Sequence, residues 1–224
     1  MWVRSAAIRP VPPYARLERS AIDAVEIWLG YAVVADDGLD DEMAEPLNPD
    51  VTERRLAEVY EMFEHHQPVL AHRIGGQLVR SRDEMAAALG YFLSLVLYKA
   101  FADEFGERLL EVDDVALTSV EEALALDEEL RGTDPVEAVD SDDVIAMEQP
   151  HVLNFMNEHI EAALDPTTYD LRATVSSGGS EAYDVDVDAV HAVYRTILIE
   201  LLALSYSVAP PPGLAVAPSH EIYA

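Results

Sequence analysis

The sequence predicts a mainly α fold: a bundle of five to six helices, one inserted β-hairpin at about residues 168–187, and an extended arm at each end. Three observations lead there. Apolar residues recur at helical spacing along most of the chain. Two stretches, Met85 to Tyr98 and Thr196 to Leu204, are apolar on nearly every side and mark central helices. Period-two alternation flanks a Gly-Gly turn in one place only.

Residues 1–13 carry Pro10, Pro12 and Pro13 and read as an extended N-terminal arm. A first helix fits residues 14–35, with Leu17, Ala21, Val25, Trp28, Leu29 and Ala32 at helical spacing, and Asp36-Asp37-Gly38 ends it. A second helix opens at Asp50, with Glu53 completing a capping-box pattern, and Pro68 is a kink or break in it. Ser81 with Glu84 repeats the capping box and starts a third helix that runs to about Phe105. A short helix follows from Thr118 to Arg131, stopped by Gly132. The next covers 141–164, with Pro150 kinking it or starting a new segment.

The period then changes. Tyr169, Leu171, Ala173 and Val175 alternate with polar residues, Ser176 to Ser180 supply the turn, and Tyr183, Val185 and Val187 alternate again. A last helix spans 188–208, and Pro210-Pro211-Pro212-Gly213 begins an extended C-terminal arm, 209–224. The helical core with its hairpin is thus 14–208. No repeat of fixed period is apparent.

The 224 residues carry 43 acids against 14 Lys and Arg, a net charge of −29, yet half of them are hydrophobic. That hydrophobic content excludes a disordered chain. The excess acid, with Lys99 as the only lysine, matches a halophilic cytosolic protein, whose carboxylates hold water while concentrated salt screens their repulsion. General nucleic-acid binding is excluded, because it draws on cations that neutralise phosphates. The absence of cysteine removes disulfides, thiolate metal sites and Cys nucleophiles. Met85 to Tyr98 is 14 residues, short of the ~20 that span a bilayer, so a core helix is expected and no membrane partner.

Catalytic motifs are weak. There is no Gly-x-Ser-x-Gly, phosphate-binding glycine loop or dinucleotide fingerprint. Glu61, His65, His72, Glu148 and His151 are the only histidine and carboxylate set with metal-ligand spacing, and Glu148 to His151 is a single Glu-x-x-His with a proline inside it. Asp184, Asp186 and Asp188 resemble the start of a calcium loop but lack its glycine and final glutamate. They suit a strand feeding a helix cap better.

The charge is uneven. Arg4, Arg9, Arg16 and Arg19 stand against Glu18 alone in the first twenty residues, and Arg73, Arg80 and Arg82 share 65–82 with no acid. In so acidic a chain these islands suggest contacts with acidic surfaces. Trp2 adds an apolar anchor to the first arm, and Leu214, Val216, Ile222 and Tyr223 make the second nearly uncharged.

The expected protein is therefore non-enzymatic, without cofactor or small-molecule substrate. It is a structural assembly subunit that forms a homo-oligomeric ring and meets neighbouring structural proteins through these residues. The concrete form is a head–tail connector or adaptor of a haloarchaeal tailed virus, found in the host cytoplasm and the virion. Two alternatives stand beside it: a cytosolic all-helical, chaperone-like module that holds a client peptide in an apolar groove, and a helical enzyme using the Glu/His set as a metal site.

Overall fold

The computed structural model describes residues 8–30, 48–133, 141–164 and 186–214. Within them lie eight helices: α1 (Arg19–Leu29), α2 (Pro49–His66), α3 (Pro68–Leu78), α4 (Glu84–Phe105), α5 (Asp114–Thr133), α6 (Ser141–Glu148), α7 (Pro150–Leu164) and α8 (Val187–Ser207). Short 3-10 turns occupy Pro13–Ala15 and Gly106–Arg108.

Helices α4 and α8 form the centre. Every residue of α8 from Thr196 to Ser205 is buried, and Leu93, Tyr98, Ala100 and Phe101 of α4 are fully so. The two run parallel, because they are tied at matching ends. At the start, Asp83 caps α4 by accepting from Met85 N and Ala86 N, and its other oxygen accepts from Asp186 N at 2.8 Å, just before α8. Burial alone would raise the Asp83 carboxyl, but these three backbone donors bring it below its ordinary value. At the far end Leu109 pairs with Val208 in an isolated bridge, with Leu110 N donating to Ser207 O and Ala209 N to Arg108 O. Gly90 lets α4 sit close to its neighbours: a Cβ there would fall 2.4 Å from Leu78 and 3.1 Å from Val193. By length and composition the segment 84–108 could cross a membrane, but 56% of its apolar window is buried within this fold.

Two prolines end helices and start new ones. The ring of Pro68 disfavours a helical Gln67, and that of Pro150 does the same to Gln149. Each glutamine still caps both flanking helices. Gln67 N donates to Phe63 O and its carbonyl accepts from Ala71 N; Gln149 N donates to Ile145 O and its carbonyl accepts from Leu153 N. Each side-chain amide is therefore free to turn inward. Gln67 donates to Leu110 O at 2.9 Å and accepts from Val112 N at 2.8 Å. Gln149 donates to Ala15 O at 2.8 Å and to Ser205 Oγ, and accepts from Leu17 N at 3.0 Å. Both grip an extended segment at residues k and k+2, as a strand partner would.

These clamps reveal a duplication. Among the described residues, extended segment, two helices, Gln-Pro, two helices is the order from 15 to 105 and again from 110 to 207. The glutamine of each half grips the extended segment of the other. Helix packing follows the same rule, α1 on α4 matching α5 on α8, and α3 on α8 matching α7 on α4.

Several expectations change. Pro68 and Pro150 are full breaks, so five or six helices become eight among the described residues. The first helix is shorter at its start, because residues 13–18 form a 3-10 turn and an extended piece. Helix α5 starts at Asp114 and continues past Gly132. The N-cap of α2 is Asn48, two residues before the predicted Asp50, and that of α4 is Asp83, two residues after the predicted Ser81. Ile8 and Val11 are 5% and 2% exposed, so the core reaches back into the predicted N-terminal arm. The inserted hairpin is not supported: most of it lies outside the described residues, and Val187, its last residue, opens α8 instead. Among the described residues there is no strand beyond the Leu109–Val208 bridge.

Three substitutions test this core by denaturant melts. Leu201 is fully buried, so Leu201→Ala costs about 2–5 kcal/mol. Gln149→Ala leaves Leu17 N and Ala15 O without partners and costs at least about 2 kcal/mol. Glu200 is fully buried on α8 with no well-formed partner for either oxygen. Burial lifts its carboxyl well above the ordinary value, and the nearby Ser94 hydroxyl offsets little of that. A raised folded pKa gives stability that is complete below the unfolded value and is lost as pH rises toward the folded one. Glu200→Met therefore stabilises the protein at pH 7 by about 1–3 kcal/mol, and the gain shrinks as pH falls toward about 4.

Candidate functional site

Helix α2 turns two faces to different uses. Val59 and Phe63 face the core, and Phe63 stacks on Tyr98 of α4 with ring centroids 4.6 Å apart. Leu56, Ala57 and Tyr60 face away from that contact and form one wall of an open groove. Ala88, Tyr91, Phe92 and Leu95 of α4 form the other. The groove measures about 450 Å³, and Glu61 is the one acid in its lining. Glu58 and Glu64 lie exposed on the same helix, so the α2 side is acidic.

Tyrosines fix the walls. Tyr60 donates to Glu64 Oε1 at 2.8 Å, and that bond, with some burial, raises its hydroxyl above the ordinary value. The Tyr98 hydroxyl bonds to Met62 O at 3.2 Å and meets His66 Nδ1 at 2.9 Å, and burial pushes it up to about 12. Behind the groove Phe92 lies edge-on to His159, 5.0 Å away, whose Nε2 is 3.3 Å from Glu26 on α1. Phe155 closes this cluster from α7, 4.6 Å from the same imidazole. The arrangement offers apolar anchoring beside acid.

The predicted interaction residues fall elsewhere. Trp2, Arg4, Val216, Ile222 and Tyr223 lie outside the described residues. Arg9 stacks 4.0 Å over the Tyr206 ring, whose hydroxyl donates to Arg9 O. Arg16 pairs with Glu148. Arg19 pairs with Asp23 and, at 3.2 Å, with Glu158. Arg73 bridges Asp114 at 2.9 Å and Glu121 at 2.6 Å. The acids that Arg16, Arg19 and Arg73 meet belong to their own chain. Arg80 and Arg82 are exposed and form no ion pair among the described residues. Leu214 is half-exposed.

Glu61, His65, His72, Glu148 and His151 are not brought together: among the described residues no three metal-binding side chains converge. Glu148 is taken by Arg16, and His151 stands 4.0 Å from Glu18. Asp186 and Asp188 act as a helix cap and first turn, Asp186 accepting from Asp188 N at 3.0 Å; Asp184 lies outside the described residues.

Sequence reading missed the groove, although a signal existed. Leu56 and Tyr60 are i,i+4 neighbours off the Val59 and Phe63 stripe, and α4 carries more apolar surface than one contact uses. No family model matches the chain, and neither a curated protein nor a solved structure matches it.

Proposed function

We propose that this protein is a non-enzymatic helical binding module that holds an apolar peptide segment of a partner protein in the α2/α4 groove. The observation that carries the reading is the groove itself: about 450 Å³ of open space walled by Leu56, Tyr60, Tyr91 and Phe92. Two walls of aliphatic and aromatic side chains suit the apolar face of an amphipathic helix. The occupant is a peptide with apolar residues at i, i+3 and i+4 and a basic flank, because Glu58, Glu61 and Glu64 border the apolar floor.

Fluorescence anisotropy with a labelled cationic amphipathic peptide tests this. Ala57 and Ala88 are exposed, so Ala57→Arg with Ala88→Arg leaves the fold intact and fills the groove with like charge. Saturable binding is expected in the micromolar range, about −8 kcal/mol, and a loss of at least about tenfold in the double variant. Equal binding by the double variant overturns the reading.

The ring-forming connector subunit of a halophilic virus is the second reading. It is favoured by half-exposed Leu214, which leads into ten residues with Glu221 as their single charge. Light scattering in molar salt separates the two, since the first gives a monomer or dimer and the second a closed higher oligomer. Both assume a salt-rich interior on the strength of the −29 charge. Raising KCl from about 0.1 M to about 2 M then raises the unfolding midpoint by screening carboxylate repulsion. A midpoint that does not move contradicts the halophilic assumption.

A further inference from the structure

We propose that two copies of this chain exchange halves about Gly106–Leu109, forming a dimer in which each globular unit takes residues before the crossing from one copy and residues after it from the other. The inference stands on the duplication and does not depend on what the groove holds.

Recognition between the halves is specific and reciprocal. Gln67 grips Leu110 and Val112, and Gln149 grips Ala15 and Leu17. Ion pairs cross the same boundary: Arg16 with Glu148, Arg19 with Glu158, and Arg73 with Asp114 and Glu121. The Thr196 hydroxyl meets Gln77 Oε1 at 3.0 Å, and Asp83 accepts from Asp186 N. Every one of these contacts joins groups of this chain, so the second half of another copy supplies them equally well.

The halves are covalently joined at a single place among the described residues that both glutamines leave free. Gly106 and Glu107 are exposed, and the local bonds of the turn are those of Gly106 N to Ala102 O and Leu109 N to Gly106 O, while Arg108 and Leu109 are held by Ala209 and Val208 of their own half and the Arg108 side chain also donates to Tyr14 O. Gly106 sits at φ 51°, ψ −126°, a conformation that L side chains rarely adopt, and a Cβ there would meet nothing. Opening this turn lets α4 lead straight into the next segment. All other contacts re-form in the exchanged unit, so the balance between monomer and dimer is set by the turn and by concentration. At −29 per chain, concentrated salt favours the pair.

The chain has no cysteine, which gives a clean reporter. Arg73→Cys with Glu121→Cys places one thiol in each half at a surface contact, and Arg16→Cys with Glu148→Cys is a second, independent pair. Full-length protein is refolded in molar salt over a hundredfold range of concentration, separated by size with light scattering, and treated with a short bis-maleimide. The expected result is a dimer fraction that grows with concentration and cross-links between chains, while the monomer cross-links within the chain at unchanged mass. Gly106→Ala, which strains the closed turn, raises the dimer fraction about tenfold at equal concentration. A dimer that cross-links only within chains, or a monomer at every concentration, overturns the proposal.

Discussion

The parallel pairing of α4 and α8 is the constraint on which the rest depends. Two helices that are apolar on nearly all sides cannot lie at a surface, so the other helices wrap them. Parallel neighbours cannot be joined by a short loop. The chain has to return from the end of one to the start of the other; α5, α6 and α7 lie on that return, α1, α2 and α3 precede α4, and the two sets interleave around the pair, α3 packing on α8 and α7 on α4. Bonds at both ends fix the register. Asp83 holds the two starts together and the Leu109–Val208 bridge the two ends. Into this pair the chain places a costly group, the Glu200 carboxyl, which burial pushes well above its ordinary value.

Around that centre the same local solution is used twice. Proline after glutamine forces a break, the break turns an amide inward, and the amide satisfies one N–H and one C=O of an extended segment that no strand covers. The few cations serve a similar end. With 14 Lys and Arg among 43 acids, carboxylates have no shortage of water but each arginine has a choice of partners. Arg16, Arg19 and Arg73 each choose one from the opposite half. Pairs this exposed contribute little stability singly. Their value lies in specifying which surfaces meet.

How much of this was legible follows from what each feature writes into the sequence. A helix buried on all sides is an apolar run, so α4 and α8 could be placed from hydrophobicity alone. Pro68 and Pro150 were visible as breaks, but whether a proline kinks a helix or divides it depends on what the preceding side chain does. Gln67 and Gln149 look like surface residues in sequence, and nothing local tells that their amides are buried at 1% and 0% exposure. The duplication was invisible for a related reason: it lies in element order and in two glutamines, while the residue spacing between corresponding elements differs, so no fixed period survives. The N-terminal prolines suggested an arm, yet Ile8 and Val11 supply the apolar contacts that fold residues 8–13 onto the core. The basic islands were legible as exceptions, but composition cannot say whether an arginine's acid lies in its own chain or another.

The groove gains its meaning from the place where the duplication fails. Helix α2 has 18 residues and packs along α4, whereas α6, which holds the same place before the second Gln-Pro, has eight. A short helix before Gln149 is enough to carry the clamp. The part of α2 that has no counterpart in α6 among the described residues, 49–58, supplies Leu56 and Ala57 opposite Tyr91 and Phe92. Exposed apolar surface costs solubility in any protein, and concentrated salt raises that cost by strengthening apolar association. The two halves share the elements that carry the clamps; the first ten residues of α2 are what sets them apart.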